Sequence, residues 1–287
     1  MTIAEQRFHY SGDDGERIAA FRWASDAPAK AVIQIAHGAG EHSLRYREPL
    51  TPIIEAGYLV YSADHRGHGA TAGSERLGDF GPGGAPAAIG DMATLSRLIR
   101  EREPDLPLVL LGHSMGAMFS QVYVLDHSDL IDALVLSGTA GPGPSPSQGP
   151  NAAFANPRTD YDWLSRNEAE VDKYVADPLC GIRFTDPSRA SFTGLRERRI
   201  VGGEALGKVR KDLPIYVFVG DEDPINQKLA RISPLIDGYK AAGLTDVMLK
   251  VYPGGRHEML NETNRDEVVT DLEAWLDRAV AGTRAAA

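Results

Sequence analysis

A serine flanked by two glycines is the first place where the chain could do chemistry. Gly112-His113-Ser114-Met115-Gly116 follows the pattern G-x-S-x-G, which chance alone produces in roughly one of six chains this rich in glycine and serine. The setting is more specific than the pattern. An apolar, strand-like run at 108–111 precedes it and a helix-forming run follows, which is the strand–turn–helix arrangement that exposes a nucleophilic serine. The alternative is a serine that only caps the helix.

A serine hydroxyl needs a base to take its proton and a third group to hold that base. When the nucleophile sits on such a turn, the chain order is serine, acid, histidine. Of the eight histidines only His127 and His257 follow Ser114, and His127 falls at the end of the helix that Ser114 begins. His257, in the glycine-rich loop 252–258, is therefore the predicted base; the alternative is a solvated surface histidine.

The acid is expected in the turn Gly220-Asp221-Glu222-Asp223-Pro224, which follows a predicted buried strand. The turn offers three carboxylates, and spacing does not choose among them. Those that do not act in catalysis would form the turn or cap a helix, as Asp commonly does beside Gly and Pro.

Two backbone amides would stabilise the oxyanion that forms when the serine attacks a carbonyl. One is the N–H of Met115, which follows the nucleophile at a helix N-terminus, and the other comes from the loop 37–42 after the third predicted strand. His37 and His42 in that loop could instead bind a metal. No carboxylate cluster completes such a site in the sequence, so we interpret them as hydrogen-bonded structural histidines and expect neither metal nor cofactor.

Composition favours a neutral, small-molecule substrate. The 287 residues carry a net charge of -10, with a pI near 5.3, which gives no general attraction to nucleic acids or anionic membranes. Cys180 is the single cysteine, the first ten residues lack an apolar signal core, and no run of 18 apolar residues occurs. These features predict a cytoplasmic protein without an integral membrane segment. The sequence does not indicate an oligomeric state.

Short, mostly apolar runs predict eight strands, at about residues 6–10, 17–23, 31–36, 59–63, 108–111, 133–136, 215–219 and 247–251. Helical patterns lie between most of them, at about 44–56, 89–102, 115–125, 227–241 and 265–280. Strands that alternate with helices predict a parallel sheet built from right-handed crossovers. The first two strands, joined by a turn-rich segment, should instead form an antiparallel hairpin at the edge.

The alternation breaks after the sixth strand, where residues 141–150 consist mainly of Gly, Pro and Ser. We therefore predict a core of residues 1–140 and 213–287 with an insertion at 141–212, which contains a helical stretch at about 167–175. The insertion has more apolar residues than an exposed loop carries, so many of them should be buried or line an acyl pocket. These residues are Phe154, Trp163, Leu164, Tyr174, Val175, Leu179 and Phe192.

Taken together, the motifs resemble the monoacylglycerol lipase and lysophospholipase family. The segments that carry the resemblance are 37–46 (HGAGEHSLRY), 64–69 (DHRGHG), 112–116 (GHSMG) and 256–262 (RHEMLNE), with 164–166 and 176–179 in the insertion. The resemblance covers nearly the whole chain. The Gly- and Pro-rich start of the insertion departs from the family pattern.

The resemblance implies an α/β-hydrolase fold, a mostly parallel eight-stranded sheet flanked by helices, with the insertion as a lid between strands 6 and 7. It assigns Asp223 as the acid and Ala39 as the second oxyanion amide. The implied activity is hydrolysis of monoacylglycerol, lysophospholipid or similar short to medium-chain carboxylic esters through an acyl-enzyme. The alternatives are another chemistry of the same scaffold (a peptidase, an acyltransferase or a perhydrolase) or a non-catalytic protein that binds a small molecule.

Overall fold

The computed structural model describes residues 2–143, 149–200 and 205–284, the side chains of 196–200 and 282–284 excepted. Eight strands form one sheet in the order β1-β2-β4-β3-β5-β6-β7-β8. They are β1 Ala4–Ser11, β2 Arg17–Ala24, β3 Ala31–Ala36, β4 Tyr58–Ala63, β5 Leu108–His113, β6 Ala133–Ser137, β7 Ile215–Gly220 and β8 Val247–Tyr252. β1 and β2 form the predicted antiparallel edge, β2 pairs antiparallel with β4, and the remaining pairs are parallel. The eight predicted strands are confirmed.

Burial on both faces of the sheet explains why the sequences of the central strands do not alternate between apolar and polar residues. Every residue of β3 to β7 is buried, as expected for a parallel sheet covered by helices on both faces. The helices are α1 Thr51–Glu55, α2 Gly69–Ala72, α3 Gly84–Arg102, α4 Met115–His127, α5 Glu168–Ala176, α6 Asp186–Ile200, α7 Ser233–Ala241 and α8 Arg265–Arg284. One apolar core lies between the sheet and α3, α4 and α7, and a second lies between the sheet and α1 and α8.

Two predicted helices are shorter than the sequence pattern indicated. The expected helix at 44–56 consists of a 3₁₀ turn, Ser43–Tyr46, and α1; Pro49 and Pro52 lack the N–H groups that a continuous helix needs. The expected helix at 227–241 begins only at Ser233, because residues 227–229 have positive φ angles of 54°, 51° and 71°. Backbone in that left-handed region cannot continue a right-handed helix.

Residues 138–214, between β6 and β7, are called the β6–β7 segment from here on; they include α5 and α6. The Gly- and Pro-rich stretch falls partly on 144–148, which lies outside the described residues. Leu164 and Tyr174 are buried and Phe154, Trp163, Leu179 and Phe192 are half-buried. Val175 is 51% exposed and is therefore not among the apolar residues that this segment buries. The predicted boundaries at 141 and 212 stay a prediction. Among the described helices, none combines the length and apolar character needed to cross a membrane.

Close packing of α4 against β3 yields a stability prediction. A Cβ on Gly116 would overlap the carbonyl of Ala36, and buried backbone cannot move aside cheaply. We expect Gly116→Ala to destabilise the fold by about 3 kcal/mol in urea denaturation. Gly238→Ala is the matched control, because Gly238 lies in α7 with open space around it; it should stabilise by about 0.5–1 kcal/mol. Equal stabilities for the two variants would contradict this packing.

Candidate active site

Ser114 occupies a sharp turn between β5 and α4. Its φ angle is 53°, a left-handed conformation that is strained for a residue other than glycine and is often found at functional sites. Gly112 is required beside it, since a Cβ there would lie 2.5 Å from Ser120 Oγ and 2.6 Å from the Gly116 carbonyl oxygen. The Ser114 N–H donates to the Ser137 carbonyl at 3.0 Å. The side chain is half-exposed between buried neighbours, so it is presented outward by a rigid turn.

His257 and Asp223 form a buried pair at the same end of the sheet. His257 Nδ1 lies 2.9 Å from Asp223 Oδ2, and the side chains are 1% and 0% exposed. Because an ionised carboxylate can only accept, Nδ1 donates, and the lone pair of the neutral ring is on Nε2. Within the described residues, Nε2 is buried and has no hydrogen-bond partner. The imidazole is thus held in the tautomer that a general base requires.

The other two carboxylates of the turn have different partners. Asp221 Oδ1 accepts the Gly254 N–H at 2.6 Å, and Glu222 forms an ion pair with Lys228 at 3.0 Å. Spacing in the sequence left three candidates for the acid. Of these three carboxylates, the structure pairs only Asp223 with His257. Asp221 instead links the turn after β7 to the loop after β8.

The carboxylate sets the electrostatics of the imidazole. Burial alone would lower the pKa of His257, but the charge of Asp223 and its hydrogen bond outweigh that effect, and the pKa is raised above its ordinary value of 6.5. The pair therefore stabilises the imidazolium that forms when His257 takes up a proton.

Two short distances relate Ser114 to the loops that carry His257 and Ala39. The ring of His113, its neighbour in sequence, lies 4.9 Å from the ring of His257. On the other side, a Cβ built on Gly38 would lie 3.2 Å from Ser114 Cβ. The loop 37–42 after β3 therefore approaches the serine closely, and glycine at 38 permits the approach.

Side chains fix the peptide units of the loop on both sides of Ala39. His37 Nδ1 donates to the Gly38 carbonyl at 2.8 Å. In a trans peptide the C=O and the following N–H point in opposite directions, so this bond also sets the direction of the Ala39 N–H. The Gly38 N–H donates to Glu41 Oε1 at 2.5 Å and the Gly40 N–H to His68 Nε2 at 3.2 Å. Ala39 itself is exposed.

A buried ion network joins this loop to the His257 loop, and the sequence analysis did not predict it. Arg45 Nη1 donates to Glu41 at 2.6 Å, while the guanidinium donates to both oxygens of Glu258 at 2.7 Å. Tyr46 donates to Glu41 at 2.7 Å. Burial alone would raise the pKa of Glu41, but Arg45 outweighs it and the pKa falls to about 2. The i,i+4 spacing of Glu41 and Arg45 was the available signal; the pairing with Glu258 is not visible in sequence.

Four buried histidines near the site are held neutral. Burial lowers the pKa of His37 and His65, that of His68 to about 3 and that of His113 to about 4. The geometry requires this state for His68, whose Nδ1 donates to the Arg66 carbonyl at 2.9 Å while Nε2 accepts from Gly40. A second proton on the ring would face the Gly40 N–H.

One group of side chains has the donor types of a zinc site. The ligand atoms of His42, Asp177 and Cys180 lie within 4.8 Å of one another. His42 Nε2 and Asp177 Oδ2 are already hydrogen-bonded at 2.9 Å, and burial raises the pKa of the Cys180 thiol, which opposes the thiolate that a metal would need. The group links the loop 37–42 to the β6–β7 segment, and His37 is not part of it.

The β6–β7 segment contacts the His257 loop directly. The indole of Trp163 lies 4.8 Å from the His257 ring. The carbonyls of Trp163 and Leu164 accept the N–H groups of His257 and Glu258 at 3.4 and 2.7 Å. These contacts support the His257 loop from the side of the segment.

Known proteins resemble the chain over almost its whole length. A family model described as serine aminopeptidase, S33 (Hydrolase_4) matches residues 27–264. The monoacylglycerol lipase of Mycolicibacterium smegmatis is 31% identical, covering 93% of this chain and 95% of that protein. The monoglyceride lipase of Mus musculus is 28% identical, with 96% and 92% covered. The crystal structure of a thermostable carboxyl esterase from Bacillus coagulans, in complex with glycerol, has a TM-score of 0.87 at 29% identity, with 97% and 100% covered.

The neutral histidines predict a loss of stability in acid. Because the pKa of His68 is about 3 when folded and about 6.5 when unfolded, only the unfolded chain binds the proton between these values. Stability should therefore decline as the pH falls below 6.5. We expect His68→Gln to make this decline shallower by up to about 1.4 kcal/mol per pH unit, measured by urea denaturation between pH 7 and 4. Parallel curves for wild type and variant would show that His68 is not held neutral.

Proposed function

Because the chain belongs to the serine aminopeptidase S33 family of hydrolases, we propose that it hydrolyses carboxylic esters of a single acyl chain through Ser114, His257 and Asp223. It is a serine carboxylesterase with the α/β-hydrolase fold, as its sequence predicts. The family match supports this general activity. The catalytic residues and the substrate go beyond that match and are our proposal.

The observation that carries the catalytic assignment is the buried His257–Asp223 pair beside Ser114. Nδ1 is committed to Asp223, which leaves Nε2 to accept the hydroxyl proton as Ser114 Oγ attacks the ester carbonyl. His257 then returns that proton to the departing alcohol. An acyl-enzyme remains on Ser114. Water attacks it as His257 takes one of the water protons, and His257 returns that proton to Ser114 Oγ as the free acid leaves.

The negative charge of each tetrahedral intermediate would rest on the amides of Ala39 and Met115. Met115 is the first residue of α4, where N–H groups have no partner within the helix and the helix dipole favours an anion. The Ala39 amide is aimed by the His37–Gly38 bond described above. Preorganised donors of this kind need no reorientation as charge develops.

We assign the insertion 141–212 as a lid that restricts the substrate. Trp163 packs against His257 and Tyr174 donates to the loop of Ala39, so the segment contacts the loops on both sides of Ser114. A serine flanked in this way admits one acyl chain more readily than a bulky triacylglycerol. Two relatives are named for lipases of monoglycerides, which supports a monoacylglycerol or a similar monoester.

A peptidase is the second candidate, because the matching family model is described by an aminopeptidase. The same triad would cleave an amide, with His257 protonating an amine in place of an alcohol. An acyltransferase, a perhydrolase and a binding protein on the same scaffold use the same arrangement and are separated by product analysis.

A substrate panel tests the proposed function. We expect free acid from monoacylglycerols and short to medium-chain nitrophenyl esters at rates well above those on triolein emulsions and peptidyl amides, with EDTA without effect. Ser114→Ala, the control, should lose activity by about a millionfold, as triad serines do. Comparable rates on triolein and a monoester would contradict the lid assignment. A preference for peptidyl amides would favour the peptidase, and a Ser114→Ala variant with a tenth of wild-type activity would exclude Ser114 as nucleophile.

The two aspartates of the turn give a matched comparison. Asp223→Asn should lower kcat by about 10⁴-fold, because an amide at this position favours the wrong imidazole tautomer. Activity requires neutral His257, whose pKa Asp223 raises, so the acid limb of the kcat/KM profile should also move to lower pH in this variant. Asp221→Asn should change neither, since the Asp221 side chain bonds the Gly254 N–H and not His257. A crippling Asp221→Asn and a mild Asp223→Asn would reverse the assignment.

A further inference from the structure

We propose that Tyr174, on α5 of the β6–β7 segment, is a positioning residue for the oxyanion amide of Ala39. The segment would then complete the catalytic centre in addition to covering it. The inference rests on the proposed function, because it presumes that the Ala39 N–H binds the oxyanion.

The Gly40 carbonyl, one residue beyond Ala39, accepts two hydrogen bonds from the β6–β7 segment. The Tyr174 hydroxyl donates to it at 2.8 Å and the Gly181 N–H at 2.9 Å. Gly40 has a φ of 67°, and a Cβ there would lie 3.1 Å from the Tyr174 hydroxyl. A glycine at this position therefore suits both the left-handed backbone and the close approach of the tyrosine.

Tyr174 is itself held rigidly. Its ring is buried, lies 4.9 Å from the ring of Tyr161, and has the Arg45 guanidinium 4.8 Å from its centroid. Burial raises the pKa of its hydroxyl, so the hydroxyl stays protonated and donates. Because Arg45 also binds Glu41 and Glu258, Tyr174 lies where the segment meets the two loops that flank Ser114.

The Ala39 amide depends on its neighbours for its direction. Ala39 is exposed and its methyl group offers no anchor, whereas the peptides around it are fixed by His37, His68 and Tyr174. His37 and His68 belong to the core. Tyr174 is the third side chain that holds these peptides, and it comes from the β6–β7 segment. A donor N–H stabilises the transition state only if it lies at hydrogen-bond distance from the developing charge. A small error in its direction therefore lowers the rate.

Tyr161→Phe is a matched control for Tyr174→Phe. Tyr161 belongs to the same segment and the same ring pair, but its hydroxyl donates to the Gly181 carbonyl at 3.3 Å. Each variant removes one hydroxyl and keeps its ring, so the two variants should lose a similar, small amount of stability. Only Tyr174→Phe removes a hydrogen bond from the loop of Ala39.

The experiment measures kcat and KM for a monoester, together with the inhibition constant of a trifluoromethyl ketone, whose serine adduct carries an oxyanion. For Tyr174→Phe we expect kcat to fall about tenfold, less than the 10²–10³ of removing a donor outright. KM should stay within about twofold, and the ketone should bind about tenfold more weakly, in step with kcat. Tyr161→Phe should stay within about twofold of wild type in all three.

Equal kcat and ketone affinity in the two tyrosine variants would overturn the inference, and so would a Tyr174→Phe variant that changes only its melting temperature. The proposed function would survive either result, provided that wild type is active and Ser114→Ala is not. An active Ser114→Ala variant would instead refute the proposed function itself. The two failures are therefore distinguishable in one set of assays.

Discussion

The buried ion network of Arg45 with Glu41 and Glu258 is the constraint on which the site geometry depends. Charges removed from water are tolerated only when each is paired and hydrogen-bonded. Removing one member of such a network leaves its partner unpaired, which strongly destabilises the fold. Here the members come from different loops: Glu41 and Arg45 follow β3, and Glu258 follows β8. The chain therefore satisfies these charges only when both loops are in place. Because Glu41 also binds the Gly38 N–H and Glu258 is next to His257, the network sets the distance between the loop of Ala39 and the proposed base.

The parallel sheet brings these loops together. β3, β5, β7 and β8 run in the same direction, so the loops that follow them emerge at one edge of the sheet. That edge holds a strained serine, a buried histidine–carboxylate pair and a hydrogen-bonded glycine loop. The positive φ of Ser114 costs on the order of 1–3 kcal/mol. The packing of β5 and α4 around Ser114 offsets this cost. The β6–β7 segment adds contacts to both flanking loops, which is why we regard it as part of the site.

Local chemistry explains how much the sequence predicted. The strands were identifiable because each is a short apolar run bounded by turn residues, and the order of Ser114 and His257 follows from the fold's connectivity. The choice of Asp223 needed a resemblance to known proteins, because three carboxylates share one turn. The helix expected at 227–241 began late because its first turn is left-handed, a feature that no residue type announces. Contacts between distant segments, such as Arg45 with Glu258 or Tyr174 with Gly40, were not predictable, since neither partner constrains the other in sequence.

The central claim is that the hydroxyl of Ser114 is the nucleophile, activated by His257. Covalent labelling with a fluorophosphonate ester, followed by mass spectrometry of the digested protein, tests it most directly. The account predicts one adduct per chain, located on the peptide that contains Ser114, with labelling slowed strongly by Asp223→Asn and absent in Ser114→Ala. An adduct on another residue, or equal labelling of wild type and Ser114→Ala, would contradict it.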